Sequence, residues 1–443
     1  MPKLIIRSKT AEVPIIQGGM GVGISLSSLS SAVAGNGGVG VIAANGIGMI
    51  DPNYFKDGRA ANIRSFRKEI REARRKTSGV IGVNIMVALE DFQELLQTAI
   101  EERVDMVFLG AGLPIKNLPV TQMREADVQI IPIVSSSRAA TLIFSMWKKL
   151  YGDVPDAVVV EGPKAGGHLG FKEEELDGEA FSLETVIPQV VSSLKVFEKE
   201  FNRSIPVIAA GGIFTGDDIY QVMKLGASGV QMGTRFAATD ECDADIRFKE
   251  AIVACNREDI GIIKSPVGMP GRAIINNFLT DRTIKKYEFN CPWQCLAGCH
   301  RDEANYCISL ALNNARKGNL KHGFVFVGSN AYRVNSIVPV KELMSELKEE
   351  YMASLFADKK KFVTDVAEII SSLKDEYKTA EIRFGELKGS YMKALTHATD
   401  NLSEPINRLK KEMDKVNEKL LEIKGTITDK VHEAYGILQY NLS

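Results

Sequence analysis

The 443-residue chain carries almost no net charge: 55 Lys+Arg against 56 Asp+Glu leave −1 at pH 7. That balance gives no electrostatic reason for a nucleic acid or an anionic membrane surface as partner. No run approaches the ~20 apolar residues of a membrane span. The start, Met1-Pro2-Lys3-Leu4, lacks the apolar core of a signal peptide. Six cysteines are too few for a disulfide scaffold at this length. These absences lead us to expect a reduced, cytoplasmic protein with no membrane span and no nucleic-acid partner. Glycine is scarce in one region only. Of 38 glycines, four lie beyond residue 340: Gly385, Gly389, Gly425 and Gly436. Pro405 is the one proline there, and 17 Lys/Arg with 19 Asp/Glu make about a third of that stretch charged.

The Gly-rich body holds short β-branched runs: Val13–Gly19, Val39–Ala44, Val80–Val87, Met106–Ala111, Ile130–Ser136, Ala157–Gly162, Pro206–Gly212 and Gly229–Phe236. They are nearly continuous apolar runs, as expected for strands buried on both faces. Helical segments such as Phe92–Arg103, Arg138–Leu150 and Gly216–Leu225 lie between them. Eight strands alternating with helices predict an α/β chain folded as a (β/α)8 TIM barrel. We expect the barrel over residues 1–240, a lid-like extension that returns to it over 241–345, and an α-helical coiled-coil tail over 346–443. The stretch Gly35-Asn36-Gly37-Gly38-Val39-Gly40 matches G-x-G-x-x-G, but it follows a helix and opens a strand, so it reads as a turn and not as a dinucleotide loop.

In such a barrel the C-terminal strand ends carry the chemistry. Here they read Gly18-Gly19-Met20-Gly21, Asn84, Glu161-Gly162, Ala210-Gly211-Gly212 and Gly233-Thr234. The last two end strands seven and eight, where glycine lets backbone N–H groups approach a phosphate. After strand six, Gly166-Gly167-His168-Leu169-Gly170 places one histidine in a Gly-rich loop. A histidine there can exchange protons near neutral pH.

This segment resembles the Gly-Gly-His signature of nitronate monooxygenases, shared by flavin-dependent enoyl-ACP reductases. The resemblance extends through Pro14–Met20, Gly82–Met86, Pro206–Ile213, Gly229–Phe236 and Lys264–Arg272. It implies an FMN-dependent oxidoreductase acting on alkyl nitronates with O2. His168 would be the base or polarising group. Gly19, Met20 and Gly21 would lie along the flavin, with Asn84 and Glu161 near its ring or ribityl chain and Met20 and Ile85 as apolar cover. Gly211, Gly212, Gly233 and Thr234 would hold the phosphate, and Gly166, Gly167, Ala210 and Gln231 would complete the cofactor wall. An NAD(P)H-dependent enoyl-thioester reductase would use the same parts. A third reading makes the barrel chiefly a component of a tail-mediated assembly.

Two features lie outside that pattern. Cys291, Cys295, Cys299 and Cys307 are spaced C-x3-C-x3-C-x7-C. Clustered thiols in a reduced compartment suggest a [4Fe–4S] cluster, a zinc site, or buried redox-active thiols. If the segment is helical, x3 spacing puts the first three on one face. In the tail, Ser403 and Pro405 open a helix. Leu402, Ile406, Leu409, Met413, Val416, Leu420, Ile423 and Ile427 then form a heptad seam, and Phe362, Val366, Ile369, Leu373, Tyr377, Ala380, Phe384, Leu387 and Tyr391 run similarly. We expect this tail to make a homo-oligomer or to dock a helical partner.

Overall fold

The computed structural model describes the chain except residues 285–288, 290, 292, 293, 300, 301, 397–402 and 440–443, and only the backbone of 282–284, 403 and 435–439. It divides into two compact units, Met1–Tyr351 and Met352–Ser443.

The first unit is a closed barrel of eight parallel strands in chain order. They are β1 (Ile15–Gln17), β2 (Val39–Ala43), β3 (Val80–Met86), β4 (Met106–Gly110), β5 (Gln129–Val134), β6 (Val158–Glu161), β7 (Val207–Ala210) and β8 (Gly229–Met232). All eight expected runs became barrel strands. Their β-branched side chains suit a surface covered on both sides, and β2 and β4 are buried along their whole length. The G-x-G-x-x-G stretch is a turn: helix α1 (Ser27–Gly35) ends in it and β2 begins at Val39.

Helices α2 (Gly58–Lys76), α3 (Phe92–Glu101), α4 (Val120–Glu125), α5 (Ser137–Tyr151), α6 (Leu183–Phe201) and α7 (Gly216–Lys224) fill the connections, and a short α8 (Thr234–Ala237) follows β8. α5 shows why the helices stop and start where they do. Ser136 Oγ accepts from Ala139 N–H at 3.2 Å, satisfying one of the four orphan donors. At the other end Gly152, at φ 64, returns its N–H to the Lys148 carbonyl.

The N-terminal end of the barrel is plugged by an antiparallel hairpin, Leu4–Ile6 with Lys9–Ala11. Leu4, Ile6 and Ala11 join Ile16, Val41, Phe108, Ile131, Val159 and Ile208 in one interior cluster. The C-terminal end stays open and is roofed by the later segments. These comprise α9 (Ile246–Val253), a hairpin of β9 (Ile260–Lys264) and β10 (Pro270–Ile274), α10 (Asn277–Ile284), α11 (Ile308–Arg316) and the extended run Phe324–Val327. β10 also pairs with the short strand Gly167–His168.

α12 (Val340–Thr396) is one continuous helix of 57 residues, longer than the heptad spacing alone implied. No proline interrupts it after Pro339. Its first turns belong to the barrel unit, where Val340, Leu343, Met344, Leu347 and Tyr351 are buried. In the second unit its remainder meets α13 (Ser403–Gln439). Lys419 pairs with Glu376 at 2.8 Å, and Val366, Leu387, Leu420 and Ile423 are buried. The seam departs from the expected one at a single step: Ile369 is 45% exposed and Ile370 turns inward in its place. Leu402 lies outside the described residues. Among the described residues no helix is long and apolar enough to cross a membrane.

Candidate active site

The open end of the barrel holds a cavity of about 640 Å3. That is within the usual range for a small-molecule or cofactor site. Of the residues anticipated for cofactor and catalysis, its wall contains all but Ile85: Gly19, Met20, Gly21, Asn84, Glu161, Gly166, Gly167, His168, Ala210, Gly211, Gly212, Gln231, Gly233 and Thr234. They arrive from β1, β3, β6, β7 and β8, each from the residues at or just past a strand's C-terminal end.

Ile85 is a correction. It is fully buried and does not touch the cavity, whereas Met86 does. The cause is the two-residue period of a strand. With Asn84 facing inward at the rim, Met86 faces the same way and Ile85 must face the helices.

The floor of the cavity is built from close backbone approaches. A Cβ on Gly19 would collide with the Asn84 side chain. Met20 is held by a local loop, its N–H donating to Ser25 Oγ at 2.9 Å. Gly211 and Gly212 adopt φ of 94° and 83°, in the left-handed region that glycine enters without cost. A Cβ on Gly211 would sit 2.8 Å from the Gly162 carbonyl oxygen, so a side chain there strikes backbone before it reaches any ligand. Gly233 is different. A Cβ there would meet nothing within 4 Å, so open space lies against this backbone at the end of β8. Thr234 Oγ1 accepts from Gly328 N–H at 2.9 Å and keeps its own proton to donate. Neutral donors around an open pocket at the ends of β7 and β8 suit a phosphate.

His168 sits in the roof of this cavity. Backbone pairing with Gly271 fixes its place. Its Nε2 shares a 2.7 Å hydrogen bond with Ser265 Oγ, and its ring packs edge-on against Phe326 with centroids 5.1 Å apart. Burial pushes its pKa down to about 4, so the imidazole is neutral at physiological pH. Ser265 is itself held in the tight turn of the β9–β10 hairpin. Its N–H donates to the Met269 carbonyl, and its own carbonyl accepts from Gly268 N–H. Arg272, on β10, donates to the carbonyls of Pro163 and Ala165 and so ties down the loop that carries Gly166 and Gly167.

Ser265, Phe326 and Arg272 were not anticipated as site residues. Ser265 and Arg272 lie inside the Lys264–Arg272 segment that carried part of the resemblance, which is the one signal that marked them.

Glu161 ends β6 at the cavity wall. Burial raises its pKa to about 7. The unfolded chain ionises this glutamate near its ordinary value, while the folded chain resists ionisation until about pH 7. Its contribution to stability is therefore present below pH ~4.5 and lost as the pH rises through 7. In flavin-stripped protein, Glu161→Gln should raise the melting temperature relative to wild type at pH 8 and do so much less at pH 5. An equal difference at both pH values would show that Glu161 titrates normally.

The four clustered cysteines lie under the same roof. Cys291, Cys295, Cys299 and Cys307 line one chamber of about 430 Å3. They are not on one helix face: Cys291, Cys295 and Cys299 sit in irregular backbone, with Leu296 in an isolated bridge to Leu89. None of the six cysteines is disulfide-bonded. Among the described residues no three His, Cys, Asp or Glu side chains are gathered tightly enough to hold a single metal ion.

The family model for nitronate monooxygenase matches residues 3–350. The chain belongs to the nitronate monooxygenase family. It is 28% identical over 318 residues to a probable nitronate monooxygenase of Staphylococcus haemolyticus, covering 65% of this chain and 82% of that one. A probable nitronate monooxygenase of Staphylococcus aureus is 26% identical, covering 63% and 80%. Among solved structures, FabK from Thermotoga maritima is 29% identical with a TM-score of 0.62, over 78% of this chain and 95% of that one. A nitroalkane oxidase from Streptomyces ansochromogenes, 24% identical with a TM-score of 0.61 over 78% and 98%, shares the fold. The family's members are flavin-dependent oxidoreductases, and the match ends at residue 350, where the barrel unit does.

Proposed function

We propose that the protein oxidises small alkyl nitronates using FMN, with dioxygen as final oxidant and His168 as the proton-handling group. The observation that carries this reading is the convergence of one half-buried, neutral histidine and two glycine-lined strand ends on a single cavity. The residues fit FMN. The open pocket at Gly233, the backbone of Gly211 and Gly212 and the Thr234 hydroxyl suit one phosphate monoester. Met20, Met86, Leu113 and Ile133 offer apolar cover for a ring system. When bound, the flavin supplies the electron acceptor, and the protein's work is orientation and proton transfer.

His168 can do that work in two ways through one partner. Nε2 is committed to Ser265, and Nδ1 has no partner among the described residues. When Ser265 donates to Nε2, Nδ1 carries the proton and presents a donor to a nitronate oxygen. When Nε2 donates to Ser265, Nδ1 is a lone-pair base for the α-proton of the neutral nitroalkane from which a nitronate forms. The Ser265 hydroxyl serves either tautomer, donating to Nε2 in one and accepting from it in the other, and passing between them requires the ring proton to move from one nitrogen to the other.

The test is an anaerobic titration of the holoenzyme with an alkyl nitronate, followed in the visible spectrum. We expect the flavin bands to fade or to change to a one-electron-reduced form. The similarity to FabK supports the second reading, hydride transfer from NAD(P)H to an enoyl thioester. Flavin bands unmoved by nitronate but bleached rapidly by NADH would establish that reading instead.

A further inference from the structure

We infer that Cys291, Cys295, Cys299 and Cys307 hold a [4Fe–4S] cluster in the chamber they line. The family resemblance does not supply this site. The argument begins with the backbone. The segment carrying the first three cysteines is stitched to the loop after β3: Glu90 N–H donates to the Cys295 carbonyl at 3.2 Å, and Ala297 N–H donates to the Ala88 carbonyl at 2.9 Å. The Leu89–Leu296 bridge lies between those bonds. A further turn bond, Cys299 N–H to the Leu296 carbonyl, sets the third cysteine. The chamber is thus a fixed part of the barrel's rim.

The fourth thiol comes from a different element. Cys307 is the N-cap of α11. Cys295 Sγ lies 3.6 Å from the Oγ of Ser309, in the first turn of that helix. The N-terminus of this nine-residue helix carries positive partial charge, which suits the net negative charge of a thiolate-ligated cluster.

The thiols surround a volume and not a point. A single zinc ion draws its thiolates to about 2.3 Å from one point. The cysteines are not gathered that way and instead surround a space of about 430 Å3. Four thiolates spread around a common volume match a cluster that takes one thiolate at each iron.

The chamber also has a position that bears on function. Leu296, Ile308 and Ser309 line both it and the large cavity, so a wall one residue thick separates the two. On the flavin reading above, this puts a one-electron centre beside a two-electron one.

The experiment is metal and sulfide analysis of full-length protein expressed with iron and purified without oxygen, with flavin counted separately after extraction. We expect about four irons and four acid-labile sulfides per chain, as the cluster formula requires, and a paramagnetic signal on reduction with dithionite. Cys295→Ser and Cys307→Ser should lose most of the iron while keeping their flavin, and Cys242→Ser, outside the chamber, should keep both. Stoichiometric zinc, two irons per chain, or wild-type protein with flavin but neither iron nor sulfide would overturn the assignment, and none of these depends on a variant folding. Loss of flavin with iron retained would instead count against the FMN reading and leave the cluster standing.

Discussion

His168→Ala should lose turnover by about 10^2-fold or more, the usual scale for removing a positioned acid or base, while retaining its flavin. Retention follows from where the parts sit. The proposed phosphate pocket is built by the ends of β7 and β8, while His168 enters from the roof, held there by backbone pairing with Gly271 that alanine preserves. The pH profile gives a second readout. Because burial holds the imidazole pKa near 4, the acidic limb of kcat/KM should lie close to 4, with no inflection at the 6.5 of a solvated histidine. Ser265→Ala supplies the control. It leaves the ring, its packing on Phe326 and its burial, but removes the hydroxyl that hydrogen-bonds Nε2. We expect a smaller loss than His168→Ala, with the acidic limb displaced. Stopped-flow reduction of the flavin by nitronate measures all three proteins. A His168→Ala protein that reduces its flavin at the wild-type rate would take His168 out of the mechanism.

Much of this site was legible in the sequence, because its parts are local. A β-branched run ending in Gly-Gly states both the strand and the close approach at its end, as Val207–Gly212 does. A lone histidine in a run of glycines announces itself. The parts that were not legible depend on partners distant along the chain. Ser265 is 97 residues from His168, and nothing in a Ser-Pro-Val-Gly-Met turn says which side chain it will meet. Phe326 reads as one more apolar residue until Ala273 bridges to it and sets it against the imidazole. Ile85 and Met86 are equally apolar, and only the phase of the strand decides which one sees the cavity. The same holds at Ile369 and Ile370, where adjacent identical residues satisfy the heptad almost equally and packing chooses between them. The cysteine spacing is consistent with a helix face, but the pairing of Leu296 with Leu89 holds the segment in another conformation.

The opposite end of the barrel offers the largest expected effect on stability. Asp156, just before β6, has a fully buried side chain. One carboxylate oxygen meets Arg124 and accepts from Ile130 N–H at 2.7 Å, and the other meets Arg203 at 2.9 Å and Arg7 at 3.2 Å. The two half-buried guanidiniums, of Arg124 and Arg203, are shared with Asp153, at 2.7 and 3.0 Å, while Arg7 is substantially solvated and adds little. Asp156→Ala leaves a buried N–H without its acceptor and two guanidiniums with half their counter-charge. Breaking a buried pair from one side costs about 3–5 kcal/mol, and Asp153 should hold the loss near the lower figure. Asp156→Asn keeps the volume and one acceptor oxygen and should lose less. Denaturant unfolding measures both, and a loss under about 1 kcal/mol for the alanine variant would mean the network is not a determinant of stability. Because this cluster lies at the N-terminal end of the strands and the cavity at the C-terminal end, the folded fraction of either variant should reduce its flavin with nitronate at the wild-type rate. In this barrel type the two ends divide the labour, with chemistry at one rim and stability at the other. Asp156 and His168 test that division from opposite sides: one should change unfolding without changing turnover, and the other the reverse.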